Sequence, residues 1–246
     1  MQHDRVSPDG PIQAIDGHSV IGMWFRDPQP TARYFDDQHP DARLLRSLQA
    51  SFGDTLPVSI SSATSDGRFA LLFASSPTNP GDYFLFDREA KKAQLIGSRR
   101  EWIQPDQLAD MRVAEITARD GLKLQALLTL PIGREAKALP VVINPHGGPF
   151  GVRDDWGYNT EVQILASRGY AVLQINFRGS GGFGKDFEHA GYRQWGRAMQ
   201  DDLTDATHWL IEQGIADAKR ICIAGGSYGG YAALMGVAKE PDLYRC

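Results

Sequence analysis

Serine is a weak nucleophile near neutral pH, so a serine that does chemistry needs a special backbone setting and a base to take its proton. Ser227 has the first of these written around it. The run Ile221-Cys222-Ile223-Ala224 is short, apolar and partly β-branched, which predicts a buried parallel strand. It is followed at once by Gly225-Gly226-Ser227-Tyr228-Gly229, a G-x-S-x-G pattern, and then by an Ala/Leu-rich stretch with good helix propensity. Strand, sharp turn and helix is the context that makes such a pattern a nucleophile elbow. A serine at the tip of so tight a turn sits in strained backbone, and larger neighbours would clash with strand and helix. The Tyr228 N–H, at the helix N-terminus, would face the reacting oxygen. The alternative is a purely structural glycine turn.

A second loop bears on the same chemistry. Residues 139–144 form a short apolar strand that ends in Asn144-Pro145-His146-Gly147-Gly148-Pro149. In α/β-hydrolases the loop after the third strand supplies one oxyanion N–H and the residue after the nucleophile the other. Tyr228 and Gly147 are therefore the expected oxyanion donors. A third stretch, Asn176-Phe177-Arg178-Gly179-Ser180-Gly181-Gly182-Phe183-Gly184, is glycine-rich but lacks the spacing of a dinucleotide or Walker loop. His146 is a candidate for substrate contact or electrostatic help, with a structural loop histidine as the alternative. Arg178 is expected either in a structural salt bridge or carbonyl contact, or at the substrate.

These three stretches together resemble the prolyl oligopeptidase family of serine peptidases, especially its acylaminoacyl-peptidase and dipeptidyl-peptidase-like branches. The resemblance runs with specific motifs from about residue 111 to 246 and only loosely before that. It implies an α/β-hydrolase domain preceded by a β-propeller that restricts the site to peptides, with the glycine-rich loop beside the substrate channel. In much of the family a tyrosine hydroxyl assists the oxyanion; here His146-Gly147-Gly148-Pro149 holds that place, which leaves the second donor open.

The elements needed to position these residues can be read along the chain. Residues 1–105 read as β structure, with strands at 19–25, 58–62, 69–74, 83–87 and 93–97 and turn clusters at 7–10, 65–68 and 76–81. A short amphipathic helix is expected over 41–49. Four or more four-stranded blades are needed to close a propeller, so this region is expected to be the end of one. After a polar crossing at 98–110, residues 106–246 read as the N-terminal part of a hydrolase domain. It has a hairpin over 111–118 and 122–130, a helix over 156–168, a buried strand over 170–176, a helix over 196–212 and a helix over 231–239. On the 196–212 helix, Met199, Leu203, Ala206 and Leu210 share the buried face, while Asp201, Asp202 and Asp205 are expected to face away or to serve its positive end. That carboxylate cluster is read as helix chemistry, not as a metal site, and no metal or cofactor is expected.

A nucleophilic serine also needs a histidine and an orienting carboxylate, in chain order Ser, Asp or Glu, His. Every histidine here (His3, His18, His39, His146, His189 and His208) precedes Ser227. The expectation is a piece of a longer peptidase that would be nearly inactive alone.

Bulk properties exclude little else. A net charge of -4 over 246 residues gives no reason to expect nucleic acid or an anionic membrane as partner. No membrane-spanning apolar run or signal peptide is apparent, and a cytoplasmic location is expected. Two cysteines make no disulfide framework, and Cys222 is expected as a small buried hydrophobe. The expected partner is a peptide substrate, with a homo-oligomer left open. A carboxylesterase on the same fold and an inactive binding protein are the competing readings.

Overall fold

The computed structural model describes residues 5–246, in two compact units. His3 lies outside the described residues. One unit comprises residues up to Leu108 together with Trp156–Asn159; the other comprises Ala109–Asp155 and Thr160–Cys246.

The first unit holds two antiparallel sheets. β1 (Gly10–Gln13), β2 (Val20–Arg26) and β3 (Pro30–Tyr34) form one, in sequential order. After α1 (Pro40–Phe52), the strands β4 (Val58–Ala63), β5 (Phe69–Ser76), β6 (Asn79–Asp87) and β7 (Lys92–Ser98) form the other, again in sequential order. Alternation in β5 buries Ala70, Leu72 and Ala74 on one face, and these pack with Leu48 of α1, Val58 and Phe86. β1 and β3 are additions to the five strands read from sequence. The expected turn over 76–81 contracts to two residues, because Ser76 pairs with Asn79 and the chain is already in β6.

The second unit is a five-stranded sheet with helices. Its strands are β8 (Met111–Thr117), β9 (Lys123–Thr129), β10 (Leu139–Ile143), β11 (Ala171–Asn176) and β12 (Ala216–Ile223), ordered β12-β10-β11-β9-β8. β8 and β9 form an antiparallel hairpin, β9 runs antiparallel to β11, and β11, β10 and β12 are parallel. Where the parallel strands pair at 141–143, 171–173 and 221–223 they are apolar, because both their faces are covered there. β11 is buried at all six positions. Leu173, Ile175, Val141, Ile143 and Ile221 meet Met199, Leu203, Ala206 and Leu210 of α4 (Ala198–Glu212), so the predicted helix face is the buried one. Each such side chain contributes roughly 1.5–3 kcal/mol by leaving water. The remaining helices are α2 (Thr160–Ser167), shorter than the predicted 156–168, α3 (Lys185–His189), directly after the glycine-rich stretch, and α5 (Tyr228–Lys239).

Two expectations are corrected here. Asp202 does not face away from the core; its side chain is fully buried and pairs with Arg178. Cys222 is not a free apolar residue either: it is disulfide-bonded to Cys246, 24 residues on, with their Cα atoms 4.6 Å apart. The pairing follows from backbone bonds that lay residues 245 and 246 alongside β12, from Arg245 N–H to Ile221 O and from Ile223 N–H to Cys246 O.

Candidate functional site

β12 leaves the sheet at Ile223 and turns through Gly225 and Gly226 into Ser227, which stands exposed with φ 56° and ψ -121°. A positive φ is rare and costly for a residue with a β-carbon and marks strain at a defined point. α5 begins at the next residue. The glycines are demanded by contact. A β-carbon on Gly225 would lie 2.6 Å from the Pro145 carbonyl oxygen, and one on Gly229 would run into the same atom. The loop after β10 therefore presses directly on the elbow. Asn144 fastens the two, its side-chain amide donating to Ala224 O at 2.9 Å, while Ala224 N–H donates to Ile143 O.

That loop also brings Gly147 to the nucleophile. A β-carbon built there would stand 3.4 Å from Ser227 Cβ and 4.0 Å from Ser227 Oγ. Tyr228 N–H, Gly147 N–H and Gly148 N–H have no protein acceptor among the described residues. The first lies in the opening turn of α5, where N–H groups have no intrahelical partner and the helix dipole is positive. The Tyr228 ring is buried, with Phe177 at 5.4 Å, Trp195 at 4.9 Å and Tyr231 at 5.6 Å between ring centroids. Burial pushes its phenol well above the ordinary tyrosine range.

His146 is half-buried beside this group. Its ring stacks on Phe177 at 4.4 Å, Nδ1 lies 2.7 Å from Gly147 O, and Nε2 lies 2.8 Å from Ser180 Oγ. Burial lowers its pKa, against a smaller raising effect of the Gly147 carbonyl. Arg178 is buried and spent on carboxylates. Nε and one terminal nitrogen bind Asp202, the terminal nitrogens bind Asp120, and the Arg178 N–H also donates to Asp202 at 2.8 Å. Of the two readings open in the sequence, the structure gives the salt bridge, and the expected substrate role of Arg178 gives way because each guanidinium nitrogen is already bonded. Asn144, Phe177, Ser180, Asp202 and Asp120 were not singled out from sequence as parts of the site, since their partners lie 24 to 80 residues away. The asparagine at the end of β10, directly before the His-Gly-Gly loop, was the one signal available.

Among the described residues no histidine hydrogen-bonds Ser227, and no group of three His, Cys, Asp or Glu side chains is placed to hold a metal. No helix among them is long and apolar enough to cross a membrane.

Residues 156–246, which include the elbow, match the family model described as the prolyl oligopeptidase family. Over that segment the chain matches the prolyl oligopeptidase family. It is 40% identical to dipeptidyl aminopeptidase BIII of Pseudoxanthomonas mexicana over 196 residues, 77% of this chain and 28% of that protein. A crystal structure of puromycin hydrolase superposes with a TM-score of 0.64 at 28% identity, over 76% of this chain and 29% of the other. A prolyl endopeptidase structure, 19% identical, matches in fold with a TM-score of 0.72 over 99% of this chain and 35% of its own. The chain thus spans about a third or less of the length of each protein it matches.

Proposed function

We propose that this chain carries the nucleophile and oxyanion half of a serine peptidase that cleaves oligopeptides. The observation that carries the reading is Ser227: exposed, at positive φ between a parallel strand and a helix N-terminus, with Gly147 against it. In the proposed reaction Ser227 Oγ attacks the peptide carbonyl and its proton passes to a histidine base. The oxyanion that forms is held by Tyr228 N–H and a donor from the Gly147 loop, and the leaving amine takes the proton as the acyl-enzyme forms. Water then releases the acyl group. The histidine and its carboxylate are proposed to come from chain beyond these residues, a reading supported by the two- to three-fold greater length of the family's matched proteins. The sequential four-stranded sheet β4–β7 supports reading the first unit as the end of a propeller.

The test uses the full-length protein. Ser227-dependent cleavage of oligopeptide amides is expected, with Ser227→Ala lowering kcat by about 10⁴-fold or more. Equal cleavage of peptide amides by wild type and Ser227→Ala overturns the proposal. Hydrolysis confined to p-nitrophenyl esters moves the assignment to a carboxylesterase.

A further inference from the structure

We propose that Asp154 and Gln174 form a proton-operated clasp that fastens the loop over 150–155 to β11. With a proton on Oδ2, the Asp154 carboxyl bonds the Gln174 amide through both of its oxygens; without that proton the loop is released. The clasp lies outside the Ser227 chemistry and does not depend on the peptidase reading.

Gln174 is buried on β11, and its Nε2 donates to Asp154 Oδ1 at 2.8 Å. The other oxygen of each group, Asp154 Oδ2 and Gln174 Oε1, is shut off from solvent and has no partner among the described residues. With the carboxyl ionised both can only accept, so two side chains already in contact each bury an acceptor that lacks a donor. One proton removes both defects. A protonated carboxyl gains an O–H donor, and the acceptor without a donor on its own partner is Gln174 Oε1. Acid and primary amide then meet as complements, N–H to Oδ1 and Oδ2–H to Oε1. The charged neighbours do not take the proton's place. Asp155 and Arg153 of the same loop pair with each other at 2.8 Å, and Glu161 stands on α2. β9 and β11 present neutral amides, Gln125, Gln174 and Asn176. Burial raises the Asp154 pKa to about 7, Asp155 and Glu161 add to the rise, and the Gln174 N–H opposes it.

The clasp holds more than one side chain. Asn176, two residues along and so on the same face of β11, grips the Asp154 backbone: Oδ1 accepts the Asp154 N–H at 2.8 Å, and Nδ2 donates to Asp154 O at 3.0 Å. Nδ2 also lies 3.2 Å from Gln125 Oε1 on β9, the residue paired with Asn176 across the sheet. Nearer the start of the loop, Val152 O accepts the Gly181 N–H at 2.9 Å, and a β-carbon on Gly179 would stand 3.1 Å from the Phe150 ring. The loop is thus laid on the glycine-rich stretch that follows β11, with Asp154 as its titrating anchor to the strand. The sign follows from where each state holds the proton. The closed loop keeps it up to about pH 7, while an opened loop releases it near the ordinary carboxyl value of about 4. Fastening is therefore complete below about pH 4 and is lost as pH rises to about 7.

The experiment follows amide hydrogen exchange over 150–155 in the full-length protein between about pH 5 and about pH 8, with the base-catalysed chemistry of exchange divided out. Local opening in the wild type is expected to rise about tenfold or more across that range. Asp154→Asn puts a permanent N–H donor in the place of Oδ2, and its loop is expected to stay closed throughout, at the wild-type level of the acid end. Gln174→Met keeps the bulk and removes the acceptor, and its loop is expected to open at the acid end as readily as the wild type does at the alkaline end. A flat wild-type profile overturns the proposal, and so does a wild-type pH response that survives in Asp154→Asn. A pH response that survives in Gln174→Met assigns the proton to burial alone and overturns the clasp. Opening that follows added sodium or calcium at fixed pH gives the two oxygens to a cation and overturns it as well.

Discussion

Replacing Arg178 by methionine tests how the loop after β11 is held. Arg178 is 7% exposed and Asp202 fully buried, so the variant strands a carboxylate in the core without its partner. Breaking one side of a buried pair costs about 3–5 kcal/mol, far above the roughly 0–1 kcal/mol of exposed pairs such as Arg220–Asp217. At about 1.4 kcal/mol per decade this is a rise of roughly 10²- to 10³-fold or more in local opening. Hydrogen exchange over 176–180 and 198–204 reads it directly, because it resolves local opening segment by segment. The effect must depend on pH. Burial already raises the Asp202 pKa, and the causes that oppose it all come from Arg178. Without the arginine the folded-state pKa rises further above the unfolded value. Stability is then highest at low pH, where Asp202 is protonated in both states, and falls as pH rises toward the raised folded pKa. Arg178→Met/Asp202→Asn removes the charge, keeps an acceptor for the residue 178 N–H, and is expected to recover more than half of the loss. A single-variant effect under about tenfold in exchange, or one flat with pH, would refute the reasoning.

Asp154 offers a second pH dependence: burial raises its pKa to about 7, and Oδ2 has no partner while Gln174 donates to Oδ1. This group's contribution to stability falls between about pH 4 and 7, so Asp154→Asn is expected to stabilise the second unit by about 1–2 kcal/mol above pH 7 and by nothing near pH 4, read by denaturant midpoints. Gly229→Ala forces a methyl into the Pro145 carbonyl and is expected to lower both activity and labelling of Ser227 by a fluorophosphonate at least tenfold; full labelling would show that the elbow and the β10 loop can move apart. Peptide mapping of unreduced protein should recover Cys222 joined to Cys246, and a closed loop of this size is worth about 3 kcal/mol on reduction; alkylation of both thiols without reductant would contradict the pairing.

What local sequence determined is what depends on neighbours along the chain. The apolar run before Gly225 required a buried strand, the glycines required a turn too tight for side chains, and the spacing of Met199, Leu203, Ala206 and Leu210 required one buried helix face. The short strands β1 and β3 escaped because few of their residues are buried and pairing with β2 alone makes them strands. Residues 156–159 have helix-compatible spacing, but they group with the first unit and α2 begins at Thr160. Burial of Asp202 was hidden for a different reason: a carboxylate on a helix reads as solvated unless its cation is known, and Arg178 arrives from the end of another strand. His146 is the sharpest case. Its type and position were legible, but its ring nitrogens face a carbonyl one residue away and a hydroxyl 34 residues away, which only the packing of β10 beside β11 brings to the same ring.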